Sequence, residues 1–328
     1  MTAVLGAELD VAASSGTMTL QVVAAVLQAS SITSYELART DGGVLPAWEP
    51  GAHIDVHLPS GTVRQYSLCG DPADRSRYRI AVLEITDGRG GSVEVHRELR
   101  PGRQIEISSP RSNFELIDAP AYVFVAGGIG ITPILPMIRT VAQRGLPWEL
   151  IYGARSVRHF AFADELAVDD SGAVRYFAQE TDGHIDLESV VAGSSGAAVY
   201  CCGPTGLMDA LTDAMSAAGR VEDLYIERFA PVAQPVDENA GDFTVELTLS
   251  GVSVDVSPDQ SILDAVRAAG VDAPSSCEMG ICGTCETKVV AGDVDHRDDL
   301  LTEDERATCG SMMICVSRAC GKKLVLEL

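Results

Sequence analysis

Near the carboxyl end of this 328-residue chain, Cys277-Glu-Met-Gly-Ile-Cys282-Gly-Thr-Cys285 places three thiols within nine residues. A further one, Cys315, follows in the strand-like run MMICVS. A C-x4-C-x2-C run with a distant fourth cysteine is the spacing of plant-type 2Fe-2S ligation. Two irons need four converging thiolates, and Gly280 and Gly283 let backbone amides close around the sulfurs and offset their negative charge. Buried free cysteines or a zinc site are the other readings, since tetrahedral zinc also takes four thiolates, but zinc usually comes as two short C-x2-C knuckles. Cys309 and Cys320 compete for the fourth position. Thr302-Glu-Asp-Glu305 predicts a capped helix start that leaves Cys309 at the helix end, and Cys320 precedes a turn into LVLEL, so Cys315 is chosen.

Two further strings carry chemistry. Arg64-Gln-Tyr66-Ser67-Leu68 stands on a predicted strand and offers a cation for phosphate, an aromatic ring to pack on another ring, and a hydroxyl donor. Alone it reads equally as an exposed Arg beside a core Tyr. Gly90-Gly91-Ser92, after Gly88-Arg89, is a flexible turn whose amides and hydroxyl suit a phosphate. Gly127-Gly128-Ile-Gly130-Ile-Thr132-Pro133 joins the apolar run YVFVA to a helix, so amides and the helix dipole face an incoming pyrophosphate. It is not the Rossmann G-x-G-x-x-G, and a packing-driven glycine turn is the bland reading. Cys202-Gly203-Pro204 ends the strand-like AAVYCC, where ligands collect in open α/β sheets, although Cys202 also suits a small buried hydrophobe.

These residues need three kinds of scaffold. Residues 18–117 run as short alternating segments between turn signals, which predicts a small antiparallel β-barrel. Residues 118–229 alternate strand-like and helix-like runs: YVFVA, PILPMIRTVAQ with Thr132-Pro133 as its N-terminal signal, WELIYGA, FADEL, VRYFAQ, AAVYCC and GLMDALTDAMSAA. That alternation predicts an α/β parallel-sheet nucleotide domain. The proline-bearing segment 230–241 reads as a linker. Residues 242–328 begin with a hairpin about Ser250-Gly251 and a helix, DQSILDAVRAA, opened by Pro258 and closed by Gly270. The chain is therefore multidomain.

Composition narrows the function classes. With 46% apolar and 22% charged residues the chain is globular rather than disordered or fibrous, and no apolar run reaches membrane-spanning length. A formal charge of −23 disfavours nucleic acid and anionic membranes. From Asp242 onward sixteen Asp and Glu face seven Lys and Arg, which is either simple solvation or an acidic docking face. Residues 1–17 have no Lys or Arg and read as a tail rather than an export signal, so a cytoplasmic setting is expected, where nine cysteines favour metal over disulfides. The six histidines form no local metal-binding pair, and hydrolytic chemistry has no evident site.

The strings SSCEMGICGTCETKV, DHRDDLLTEDE and ICVSRA, with RQYSL, GRGGS and GGIGITP, resemble the ferredoxin-fused flavoprotein reductases of Rieske oxygenases, the phthalate dioxygenase and vanillate demethylase reductase family. The resemblance covers nearly the whole chain. It implies a β-grasp ferredoxin domain at the carboxyl end with Cys277, Cys282, Cys285 and Cys315 as cluster ligands. It implies FMN, with Arg64, Gly91 and Ser92 at the phosphate, Tyr66 and Ser67 at the isoalloxazine, and Leu68 and Gly90 within the same motifs. It implies NADH at Gly128, Gly130, Thr132 and Pro133, with Cys202, Gly203 and Pro204 beside the nicotinamide and Phe229, in YIERF, over the flavin face. Ser67, Cys202 and Phe229 are then the residues nearest the chemistry. Arg155, Ser156 and Arg158 are candidates for the nucleotide's 2′ side, with Asp164 and Glu165 as opposing charges. A flavin is also expected on chemical grounds, because it joins a two-electron hydride donor to a one-electron cluster. The implied partner is a separate terminal oxygenase; a haem monooxygenase as acceptor, or a non-catalytic redox-sensing module, are the rivals.

Overall fold

The computed structural model describes residues 17–88, 90–167, 172–229 and 241–328. Nearly all of the expected linker and of the expected tail lies outside them. The first unit holds strands β1 Thr17–Ala29, β2 Ile32–Ala38, β3 Ala52–His57, β4 Val63–Ser67 and β5 Arg77–Leu83, then helix α1 Gly91–Glu98 and strands β6 Gln104–Ser108 and β7 Arg111–Ser112. Their order is β4-β3-β6-β1-β2-β5, with β7 on β3, and every pairing is antiparallel. A bridge between Leu68 and Ile80 joins the two edges, so the sheet closes into the expected barrel. Inward residues such as Leu20, Ile54, Leu68, Tyr78 and Ile107 fill it.

The second unit contains β8 Tyr122–Gly127, α2 Ile131–Gln143, β9 Trp148–Ala154, α3 Ala163–Leu166, β10 Ala173–Ala178, α4 Gln179–Asp182, α5 Leu187–Gly193, β11 Ala198–Cys202, α6 Thr205–Ala217 and β12 Leu224–Glu227. The sheet is parallel, in order β10-β9-β8-β11-β12. All six residues of β8 are buried, as a strand covered on both faces requires. Tyr122, Phe124 and Ala126 pack with α2. Val123 and Val125 pack with α5 and α6. Barrel residues Ile32, Cys69, Ala81 and Phe114 join the α2-side core, so the first two units share apolar packing. Thr132 does not cap α2. The helix starts at Ile131 after a single tight turn over Gly128–Gly130, and Thr132 Oγ1 donates back to the Ile129 carbonyl at 3.0 Å.

The third unit has β13 Phe243–Leu247, β14 Ser253–Val256, α7 Ile262–Ala268, β15 Glu286–Ala291, β16 Val294–Asp295, α8 Glu303–Thr308, β17 Ser311–Met313, β18 Arg318–Ala319 and β19 Lys323–Leu326. The main sheet runs β14-β13-β19-β15-β17, with β13 and β19 parallel in the middle. Helix α7 buries Ile262, Leu263 and Val266 in the core with Val245 and Leu324, giving the β-grasp arrangement. The hairpin turns at Gly251, φ +68°, as expected. Pro258 does not open α7; Ser261 caps it, its side chain accepting from the Asp264 amide. Thr302 and Glu305 form the reciprocal capping box at α8. No helix among the described residues is long and apolar enough to cross a membrane.

Candidate functional site

The segment between α7 and β15 carries three of the four cysteines, and the turn after β17 carries the fourth, Cys315. All four are buried. Gly280 and Gly283 take φ values of +73° and +76°, which turn the loop's amides inward. The Met279 amide donates to Cys277 Sγ at 3.3 Å and the Thr284 amide to Cys282 Sγ at 3.5 Å. Ile281 directs its amide to Cys277 as well, and Gly280 directs its own to Cys315.

Among the described residues no three His, Cys, Asp or Glu side chains meet closely enough to hold a single metal ion. The four thiols hydrogen-bond two by two, Cys277 with Cys282 and Cys285 with Cys315, and the pairs also feel each other electrostatically. Within the first pair, hydrogen bonding from Cys277 lowers the Cys282 thiol. In the second, hydrogen bonding from Cys315 lowers Cys285. Two thiol pairs ringed by N–H donors fit a binuclear iron-sulfur group.

Next to this loop lies a cavity of about 610 Å3, within the range of cofactor sites. The barrel contributes Arg64, Tyr66, Ser67 and the stretch Gly90, Gly91, Ser92; the nucleotide unit contributes Thr132 and Phe229; the ferredoxin-like unit contributes Cys277 and Met279. The glycine stretch is not a plain turn. Gly90 adopts φ +81° and begins α1, whose first intrahelical bond is from Glu94 N to Gly90 O. The amides of the first turn therefore have no intrahelical partner and are the kind of donors that suit an anion. Arg64 lies directly against Gly91, where an added Cβ would fall 2.3 Å from its Nε. Ser92 Oγ accepts from the Ile85 amide at 3.0 Å, tying helix to strand end. A phosphate-tailed aromatic cofactor fits this combination of cation, amides and ring.

On the nucleotide side, β8 is flanked by β9 on one side and β11 on the other, so the strand order reverses there and leaves a crevice at the carboxyl ends. The two glycine turns meet in that crevice. A Cβ on Gly127 would strike Pro204 Cδ at 2.5 Å, and one on Gly130 would strike the Cys202 carbonyl oxygen at 2.1 Å. Gly128, φ +54°, faces open space, and Gly203 packs on the Gly127 backbone.

Several expected residues lie elsewhere. Leu68 does not line the cavity but sits fully buried in the barrel core, beyond the end of β4. Cys202 is equally buried, in the core on the α2 side, and burial pushes its thiol far up, so its backbone rather than its sulfur faces the crevice. Pro133 is buried within the first turn of α2. Arg155 and Arg158 are exposed, whereas Ser156 is buried with its hydroxyl 2.8 Å from His159 Nδ1. Glu165 is occupied: Arg79 of the barrel binds it across the seam, and Arg139 binds it from α2 within the nucleotide unit.

Other site residues left no mark in the sequence. Glu227 lines the cavity and receives a hydrogen bond from Ser67 Oγ at 3.4 Å; burial raises its carboxyl to about 8. Asp55 binds Arg111 through both oxygens, at 2.7 and 2.6 Å, and accepts from Ser276 Oγ at 2.5 Å. Asn113 donates to the Cys282 carbonyl at 3.2 Å. These contacts hold the cluster loop to the barrel, and no local spacing signals them. The string GAHIDV shows an alternating strand and nothing more.

The family model described as a 2Fe-2S iron-sulfur cluster binding domain matches residues 245–320, and that of an oxidoreductase NAD-binding domain matches residues 124–213. The phthalate 4,5-dioxygenase oxygenase reductase subunit of Pseudomonas putida is 42% identical over 94% of this chain and 96% of its own. The solved structure of phthalate dioxygenase reductase, described as a modular structure for electron transfer from pyridine nucleotides to [2Fe-2S], superposes with TM-score 0.72 at 38% identity, over 95% of this chain and 98% of that one. An intact type IV self-sufficient cytochrome P450 monooxygenase superposes with TM-score 0.85 at 44% identity over 95% of this chain, which spans 41% of that longer one. With such identity to the phthalate and vanillate enzymes over nearly its full length, the chain belongs to the ferredoxin-fused reductases of multicomponent oxygenases.

Proposed function

We propose that this chain takes hydride from NADH onto FMN and passes electrons through a 2Fe-2S cluster to a separate terminal oxygenase. One observation carries the reading: a single cavity is walled at once by Arg64 and Gly91 of the barrel, by Thr132 and Phe229 of the nucleotide unit, and by Cys277 of the ferredoxin-like unit. When bound, a flavin accepts an electron pair and releases electrons singly to an iron-sulfur centre.

The chain's own residues supply position and electrostatics. Arg64 and the first-turn amides of α1 suit the FMN phosphate, Tyr66 and Ser67 the ring, and Gly90 and Ser92 the turn that frames it. Gly128, Gly130, Gly203 and Pro204 open the crevice for the dinucleotide, with Arg155 at its outer end. Phe229, 37% exposed at the cavity mouth, suits a ring that shields the flavin face. Cys277, Cys282, Cys285 and Cys315 hold the cluster, with backbone amides offsetting its charge. The units are taken as 18–117, 118–229 and 242–328, joined by 230–241. A cytoplasmic site fits NADH supply and thiols that must stay reduced.

The likeness to a reductase segment within a haem monooxygenase favours a second reading, in which the same path serves a haem acceptor. Reduction of a purified Rieske oxygenase, compared with a P450 haem domain, separates the two. The primary test is the visible spectrum of the protein reconstituted with iron, sulfide and FMN, followed by anaerobic NADH titration. Flavin and cluster bands that bleach with NADH are expected, and a colourless product overturns the reading. In Cys315→Ser, NADH-driven ferricyanide reduction should persist while cytochrome c reduction is lost.

A further inference from the structure

Strand β3 pairs His53 with Ser67 of β4 on one side and with Arg111 of β7 on the other. Its neighbour Ile54 is fully buried inside the barrel, so alternation turns His53 and Asp55 outward, towards the cluster loop. Asp55 is engaged by Arg111 and Ser276. His53 lines the cavity together with Tyr66, Ser67, Asn113 and Cys277. It is only 6% exposed, and among the described residues its buried Nε2 has no hydrogen-bond partner. Leaving such an atom unsatisfied costs the desolvation of its lone pair or N–H with nothing in return, so packing alone does not account for an imidazole here. A Phe or Leu would fill the same space without that cost.

We propose that His53 contacts the flavin: its Nε2 hydrogen-bonds the FMN held in this cavity and fixes the cofactor's seat beside the cluster loop. The inference rests on the reading of the cavity as the flavin site. Burial, aided by the charge of Arg111, lowers the imidazole to about 4, against an opposing pull from Asp55. The ring is therefore neutral at neutral pH, able to donate or accept one hydrogen bond without adding charge to the path between flavin and cluster.

The test uses the full-length protein carrying its cluster, with His53→Phe to remove the nitrogen while keeping a ring, and His53→Gln to restore a polar atom. FMN affinity is read by fluorescence quenching on titrating flavin-depleted protein, and the flavin environment by its visible absorption bands. Loss of one hydrogen bond predicts a roughly tenfold weaker FMN Kd in His53→Phe, shifted flavin bands, and recovery of most of the affinity in His53→Gln. If the Phe variant does not fold, His53→Ala takes its place. Wild-type Kd and bands in a folded variant lacking the nitrogen overturn the role of His53. Failure of the wild-type protein to bind FMN overturns the cavity assignment beneath it.

Discussion

Ser67 and Glu227 stand 160 residues apart in sequence, yet their side chains meet at the cavity wall. Burial raises Glu227 from 4.5 to about 8, and the hydrogen bond from Ser67 only partly opposes it. Because the folded-state pKa lies above the unfolded one, the folded protein holds a proton that the unfolded chain has lost throughout that window. The burden on stability is therefore absent below about 4.5 and grows until about 8. Glu227→Gln, which never ionises, should melt at the same temperature as wild type near pH 4.5 and several degrees higher at pH 8. Thermal melts at both pH values check this. The string YIERF left this residue unremarked, because whether a Glu faces water or a cavity depends on what packs over the strand end, not on its neighbours in sequence.

At the scale of elements, two loops gain their function from backbone geometry. Gly280 combines φ +73° with a close approach in which a Cβ would meet Val316 Cγ2 at 2.6 Å and the Asp298 Cα at 3.1 Å. Both its conformation and its space exclude a side chain. Gly280→Ala should therefore assemble far less cluster while leaving flavin binding unchanged, measured as the iron-to-flavin ratio of reconstituted protein. The role of this glycine was legible from its place between ligands. The helix at Gly91 was not, since glycines read as turn signals, and only the packing of Val95 and Leu99 into the barrel core makes α1 form there. Starts of α2 and α7 shifted for a related reason: proline and threonine mark several compatible first-turn positions, and the cap is settled by which backbone amides need partners.

At the scale of the molecule, the cluster loop is docked on the barrel by a short polar seam: Ser276 on Asp55, Arg111 also reaching Thr284 Oγ1 at 3.3 Å, and Asn113 on the Cys282 carbonyl. A seam of this kind fixes the distance between flavin and cluster without a large apolar interface. Asp55→Ala removes the acceptor for both Ser276 and Arg111. Its NADH-to-ferricyanide rate should stay within about twofold of wild type while cytochrome c reduction falls about tenfold, since only the second depends on docking. Equal loss of both rates would instead place the damage in the barrel itself. The other seam, Glu165 between Arg79 and Arg139, joins barrel to nucleotide unit alongside a shared apolar core.

Hydrophobic period and turn signals are short-range properties, and they sufficed for the antiparallel barrel and the parallel-sheet unit, while the β-grasp unit followed from the resemblance. The convergence of these pieces on one cavity is not a short-range property. Asp55 meets Ser276 across 221 residues, and Asn113 meets Cys282 across 169. Contacts at such separation depend on how three independently formed sheets dock, and docking depends on surface shape and buried charge that no local pattern encodes. That is why His53, Asp55, Asn113 and Glu227 emerged only from the tertiary structure.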